Sequence, residues 1–406
     1  MSRRGIVRTR HVLFLVSTVS TRVARRTFGG VLLRAAFALA LLGCSHGAAL
    51  SAEPEPATSA GPAAGTDANT GVEAPRPPPA KPSGPDIALV LPLESAAYGR
   101  AAAAVRAGFA AAADLAKVPV GVISSPDGDP VAGFVAAQEQ GAKVVVGPLV
   151  RDDLRTLAGA GIDLPVTIAL NQMDDGMPLP ERLYSLSLAI EIEGRQLARI
   201  VVASGAKSIG VISVGGAVQR RFASAFVDEL LAQGAGPPET FRFDRAPEAL
   251  TALRKDLGRS APLDAVLLAV DGTDVALLKS FVGIVPCFTS SQVGDASRTE
   301  TRRDLDGVYF LELPWLVEGL SPDPGRLPRG NYTNAALQRL YALGIDAFRV
   351  ARLFVDGAPD SLELDGVTGH LRLTSSRSFT RESQLMRFRA GAAEPSPPPR
   401  AMVPPP

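Results

Sequence analysis

Histidine is nearly absent from this chain of 406 residues: it occurs at His11, His46 and His370 only. The body therefore cannot assemble a histidine-based triad or a multi-histidine metal site, and catalysis by those routes is excluded. Cysteine is as scarce, with Cys44 and Cys287 alone, so no disulfide framework exists. No apolar run reaches the roughly 20 residues that cross a bilayer, so membrane attachment has to come from a processed signal or a lipid. What is present is globular in balance, 46% apolar and 20% charged, and at this length two or three domains are expected. The formal charge of +1 is uneven. Residues 1–43 hold eight Arg and no acid, which leaves 34 basic against 41 acidic residues, net −7, from Cys44 onward. An acidic body argues against a nucleic-acid partner.

The N-terminus reads as an export signal. Arg22, Arg25 and Arg26 precede VLLRAAFALALLG, which is too short and too Arg-interrupted for a stable anchor but suits a signal-peptide core. RRTF at Arg25–Phe28 resembles a twin-arginine signal. Leu41, Leu42 and Gly43 before Cys44 resemble the bacterial lipobox, which implies cleavage after Gly43 and acylation of the Cys44 thiol. Ser45, where an Asp would resemble the inner-membrane retention signal, favours the outer membrane, periplasmic face. A soluble exported form and an uncleaved N-terminal anchor are the alternatives.

Residues 45–85 carry nine Pro and no aromatic residue, so they form no packed core. They read as a disordered tether, spanning about 130 Å as polyproline II and about 35 Å as a random coil. Residues 391–406, with seven Pro, read as a second disordered tail.

From 86 to 390 strands and helices alternate. IALVLPL from Ile87, VPVGVIS from Val118, KVVVGPL from Lys143, LPVTIAL from Leu164, SIGVISV from Ser208, DAVLLAV from Asp264 and IVPCFTS from Ile284 are nearly continuous apolar runs, the pattern of parallel strands covered on both faces. Between them lie helical stretches. RAAAAVRAGFAAAADLAK sets Val105 and Phe109 on one face, and AIEIEGRQLARIVVASG carries Glu191 and Glu193 near its positive dipole end. Two open sheets are expected, with the chain crossing between lobes near Tyr184–Ser187. The long helix over 333–356 places Leu337, Tyr341, Gly344, Phe348 and Ala351 on one stripe, with Gly344 permitting close backbone approach. A finishing hairpin over 360–390 follows. The predicted fold class is α/β with two lobes, each an open, mostly parallel sheet flanked by helices: lobe 1 is 86–188 plus the long helix, lobe 2 is 189–315 plus the hairpin. That topology is the one of type I periplasmic binding proteins.

Three stretches, VVVGPLVRDDLRTL at Val144, TSSQVGDAS with RDLDGVYFLELPWL over Thr289–Leu316, and ALGIDAFRVARLF joined to LDGVTGHLRL, resemble the binding-protein-like domain of the LpoA/LppC-type lipoproteins that activate penicillin-binding proteins. The resemblance covers 86–390. It implies a nonenzymatic outer-membrane lipoprotein that binds a class A penicillin-binding protein, a bifunctional peptidoglycan synthase, and stimulates it by contact, with no cofactor. Better-known members carry a helical-repeat domain ahead of this one, where here the Pro-rich tether stands. The rival reading is a periplasmic solute receptor of amino-acid type feeding an ABC importer; a hydrolase ranks below both.

Ligands of open α/β sheets gather at the carboxyl ends of the strands. The candidate interlobe cleft is therefore Tyr98, Gly147, Leu149, Arg151, Asn171, Gln172, Ser213, Asp271, Ser291 and Gln292. Amino-acid binders of this fold follow the Gly-Pro turn with a Ser or Thr, where this chain has Leu149, Val150 and Arg151. The acidic pairs Asp127/Asp129, Asp152/Asp153, Asp174/Asp175 and Asp304/Asp306 sit at turns and helix starts and read as caps rather than as a glycosidase pair. VGGAVQRR at Val214 lacks a phosphate-loop pattern and reads as strand-to-helix packing. Trp315 reads as core, with a partner-facing anchor as its functional alternative.

Overall fold

The computed structural model describes residues 84–174, 176–296, 302–321 and 326–399. The segment expected to be a signal peptide, Cys44 and most of the segment expected to be a tether lie outside these residues.

Lobe 1 opens with β1 (Ile87–Leu91), α1 (Gly99–Ala116), β2 (Val120–Ser124), α2 (Pro130–Glu139), β3 (Val144–Val146), α3 (Arg151–Gly159), β4 (Val166–Ala169) and β5 (Leu183–Ser185). Its sheet is parallel throughout, in the order β2-β1-β3-β4-β5. Every residue of central β1 is buried, as its unbroken apolar run requires. β2 lies at the edge and leaves Val122 exposed.

After Leu186 the chain crosses to lobe 2: α4 (Ile190–Ala203), β6 (Ile209–Ser213), α5 (Ala217–Ala232), β7 (Glu239–Arg242), α6 (Pro247–Arg259), β8 (Ala265–Ala269), α7 (Val275–Val282), β9 (Cys287–Thr289), α8 (Gln292–Ala296) and β10 (Val308–Glu312). It returns for α9 (Ala335–Phe354), β11 (Glu363–Gly366), β12 (Gly369–Leu373) and β13 (Phe379–Glu382), then ends in β14 (Gln384–Arg389) and β15 (Ala392–Pro395). The second sheet runs β15-β14-β10-β9-β8-β6-β7. Its strands β6 to β10 are parallel, and β14 and β15 are antiparallel additions.

Two expectations are corrected here. The segment 360–390 is not one hairpin of lobe 2. β11, β12 and β13 form a separate antiparallel sheet that sets Val367, Leu371 and Phe379 into the lobe 1 core beside Phe348 and Phe354, whereas β14 pairs with β10 in lobe 2. The chain changes lobes at Ser383, where Gln196 of α4 donates to the Ser383 carbonyl (2.8 Å) and accepts from its N–H (3.0 Å). The tail also starts later than composition indicates. Residues 392–395 pair with β14 as an edge strand, and Asp306 accepts from the N–H groups of Ala390 and Gly391 ahead of it.

The long helix packs where the sequence places it. α9 lies across α1, and a Cβ added at Gly344 would stand 2.1 Å from the Val105 carbonyl oxygen, so only glycine allows that approach. The long helix and the β11–β12 turn meet at Asp346. Its fully buried carboxylate accepts from the N–H of Val367 (3.0 Å), the N–H of Thr368 (2.8 Å) and the Thr368 hydroxyl (2.5 Å). Gly366 is required beside it, since a Cβ there would meet the carboxylate at 2.3 Å. This clasp joins ALGIDAFR to LDGVTGHL. No helix among the described residues is long and apolar enough to cross a membrane.

Candidate functional site

The ten residues expected at the strand ends do not form one site. Tyr98, Leu149, Arg151 and Asn171 line one interlobe cavity of about 480 Å³, together with Glu191 and Arg221 from the second lobe. Asn171 braces that wall by donating to the Leu149 carbonyl (2.9 Å). Ser291 and Gln292 line a different cavity, of about 230 Å³, and Gln172 a third, of about 490 Å³. Gly147, Ser213 and Asp271 line none of these, and Asp271 accepts from Gln219.

Arg151 begins α3 and reaches across to lobe 2, donating to Glu191 (2.9 Å) and approaching Asp174 (3.4 Å). Arg221 of α5 reaches the same Glu191 oxygen at 3.2 Å. Glu191 sits in the first turn of α4, where the helix dipole favours a carboxylate. Arg151 is thus committed to joining the lobes rather than held open for a small anion. Hydrogen bonding from Arg155 holds the Asp174 carboxyl below the usual carboxylate range.

Two residues further along α4, Glu193 turns to the other side and accepts from the N–H (2.9 Å) and hydroxyl (2.8 Å) of Ser291. Burial raises its pKa, against the pull of the Ser291 hydrogen bonds and the Arg339 charge. Arg339, on α9, is the second bridge between lobes. It forks onto Glu312 (3.0 and 2.7 Å), donates to Asp295 (2.6 Å) and to the Ser291 carbonyl (3.2 Å). Burial pulls this guanidinium down, but Glu312 and Asp295 outweigh it and hold the group above its ordinary value.

Sequence reasoning took Glu191 and Glu193 as dipole residues only and missed Arg221, Arg339 and the buried Arg381, which donates to the Ser187 carbonyl (3.0 Å) where the chain crosses between lobes. A spacing of two on a helix puts the two glutamates on different faces, a signal that was available. Trp315 requires correction as a partner anchor: it is 1% exposed. Its ring packs beside Tyr341 (5.8 Å) and under the Arg329 guanidinium (4.5 Å), and its indole N–H donates to Gln338 (3.3 Å). The short turn Pro314–Leu316 drives it inward. Among the acidic pairs, Asp129 caps α2 through the Ala132 N–H (3.1 Å) and Asp306 holds the approach to β15; Asp175 lies outside the described residues. His370 is at the surface, 2.7 Å from Asp365.

Comparison with known proteins gives the same architecture. The penicillin-binding protein activator LpoA of Haemophilus influenzae is 25% identical over 319 residues, covering 76% of this chain and 55% of its own length. That of Yersinia pseudotuberculosis is 25% identical over 317 residues, covering 66% and 48%. The chain therefore spans about half the length of the relatives it matches. The solved C-domain of H. influenzae LpoA, described as a regulator of PBP1A, superposes with a TM-score of 0.67 at 22% identity, over 76% of this chain and 99% of that domain. A Chromobacterium violaceum structure, described provisionally as a branched-chain amino acid ABC transporter, gives 0.64 at 35% identity, over 74% and 98%. The LppC lipoprotein family matches residues 81–252 and 252–391, which take in both lobes and the clasp between the long helix and the β11–β12 turn, and the chain is a member of that family.

Proposed function

We propose that this chain is a nonenzymatic lipoprotein, anchored to the periplasmic face of the outer membrane through Cys44, that binds a class A penicillin-binding protein and raises its peptidoglycan synthase activity. The observation that carries this reading is the family match across both lobes, joined to relatives named as penicillin-binding protein activators. The geometry supports a docking body rather than a solute trap. Arg151 and Arg339 each bridge the lobes through carboxylates, and the first of them stands where a receptor would grip its solute. The Pro-rich composition of residues 45–85 would give such an anchor reach.

The test is direct. The mature chain beginning at Cys44 should be retained by an immobilised class A synthase and increase its glycan polymerisation or crosslinking rate. A chain that leaves every such synthase of its own cell unaffected overturns the reading. Anchoring is tested separately: Cys44→Ala should release the protein from the outer-membrane fraction. The C. violaceum relative favours a second reading, a solute receptor of amino-acid type. It predicts a rise in melting temperature with leucine, isoleucine or valine, which the first reading does not.

A further inference from the structure

Sheet edges carry unpaired N–H and C=O groups, and natural proteins blunt them with charge, proline or a covering segment. Among the described strands, three sheets give six edges, and all but one are blunted in this way. β7 (ETFR), β11 (ELDG) and β13 (FTRE) bear charges, and β15 (AAEP) bears Glu394 and Pro395. β5 is met by the turn at Arg377–Ser378, where the Arg377 carbonyl accepts from the Ser185 N–H (2.9 Å). β2 is the exception. Its residues VGVIS hold no charge and no proline, it pairs with β1 alone, and Val122 is 44% exposed.

The alternation of the strand decides which groups are free. The Ser125 N–H donates to the Leu91 carbonyl (2.9 Å), so Gly121 and Ile123, of the same parity, face β1, and Val120, Val122 and Ser124 turn their N–H and C=O groups outward. Pro119 has the parity of Gly121, so its missing N–H takes no donor from that edge. The flanks carry opposite charges at equal spacing. Lys117 lies five residues before Val122 and Asp127 five after it, both exposed. Asp129 is occupied as the cap of α2, whereas no described residue pairs with the side chain of Lys117 or Asp127. Burial first, and then the Asp127 charge, raise the Asp153 carboxyl, so Asp127 stands in an acidic place that a lysine would relieve. A strand laid antiparallel to its own copy about Val122 sets Lys117 of each chain against Asp127 of the other. It also sets Gly121 opposite Ile123, the smallest residue of the strand beside the largest.

We infer that this edge is a self-association surface: β2 pairs antiparallel with β2 of a second copy about a two-fold axis at Val122, joining two five-stranded sheets into one. Val122 then exchanges both its backbone hydrogen bonds with Val122 of the other copy, and Val120 exchanges both with Ser124. Such a contact is closed at two copies. The chain enters β1 through Pro85, whose ring stands 3.3 Å from where a Cβ on Gly121 would lie, so the two N-terminal segments start beside the axis. Under the proposed anchoring, one membrane holding both copies would raise their effective concentration. The pairing itself stands apart from synthase activation, since it needs no synthase.

The test follows the mass of the mature chain carrying Cys44→Ala, which takes away both the lipid site and any disulfide between copies through it, by sedimentation equilibrium across protein concentration. A reversible monomer–dimer equilibrium is expected, weakening as sodium chloride rises. Val122→Lys places like charges on the axis and should weaken association at least about tenfold, as should Lys117→Asp and Asp127→Lys, each of which sets like charges at both ends. Mixing those two charge variants in equal amounts should restore association to near the wild-type constant, because every Asp then faces a Lys. All three positions are exposed, and Asp tolerates the left-handed backbone of Lys117 (φ 56°), so each variant should unfold thermally near wild type. Should Val122→Lys fail to fold, the mixture decides alone. A chain still monomeric at about 0.5 mM, a dimer unmoved by Val122→Lys, or a mixture no tighter than its components overturns the proposal. So does a monomer whose Val122 amide gains exchange protection only when a synthase is added, which gives the edge to that partner instead.

Discussion

Replacing Asp346 with asparagine tests the clasp that joins the long helix to the β11–β12 turn. The carboxylate satisfies three buried donors, two on Oδ2 and one on Oδ1. Asparagine keeps a single acceptor oxygen and turns an NH2 group toward the remaining donors. If the oxygen stays on the Val367 side, the N–H and hydroxyl of Thr368 lose their acceptor inside the core. Hydrogen bonds to a charged acceptor are worth roughly 1.5–3 kcal/mol each, so the loss is about 3–6 kcal/mol. Arg381 loses its opposing charge as well. Trp315 is the sole tryptophan, and its backbone N–H donates to the Val367 carbonyl (2.9 Å), so its fluorescence reports on this corner of lobe 1. With a urea slope of about 1–3 kcal/mol/M, the midpoint should fall by at least about 1 M. A midpoint within about 0.3 M of wild type would refute the reasoning, since it would mean that the clasp donors find other partners at no cost.

Three further outcomes follow from the geometry. Gly344→Ala forces a Cβ to within 2.1 Å of the Val105 carbonyl oxygen, so α1 and α9 must separate, and thermal unfolding should show a loss of about 1–3 kcal/mol, in the range of overpacked cores. Burial raises the Glu193 carboxyl above its ordinary value of 4.5. The folded state then holds a proton that the unfolded state releases, and stability falls as pH rises from about 4.5 through the folded value. Glu193→Gln, which carries no such proton, should be at its most favourable relative to wild type at neutral pH, and urea midpoints across the range should show the gap closing toward pH 4. Burial pushes the Cys287 thiol up to about 11, so iodoacetamide should leave the native protein unmodified near neutral pH and alkylate it fully in urea.

The parallel strands were legible because helices cover both sheet faces, which turns each strand into an unbroken apolar run. β7 was not: as an edge strand it exposes three of its four residues, and ETFR has no apolar pattern to read. β5 is three residues long and was seen only as the crossing it leads into. The final strands showed their alternation, but alternation says nothing about which sheet a strand joins, so β11–β13 and β14 were merged. The candidate site was less legible than the fold. Strand ends could be located from the runs that precede them, yet what fills the space between lobes depends on residues far apart in sequence. Arg151 and Glu191 are 40 residues apart and Arg339 and Asp295 are 44 apart. Arg381 sits two residues after Phe379, on the same buried strand face, yet an arginine by its residue type reads as a solvent-facing charge.

The order in which the chain visits its lobes has a consequence for biogenesis. The sheet assembled from residues 87–185 is made first, yet the helix and the antiparallel strands that cover one of its faces arrive after residue 334. A ribosome or an export channel delivering this polypeptide from its N-terminus releases that face covered by α1 alone, and α9 joins it only after about 240 further residues have emerged. A nascent chain of this design carries part of its core uncovered during transit, and a stop codon between Ala335 and Phe379 would leave both halves of the molecule unfinished at once.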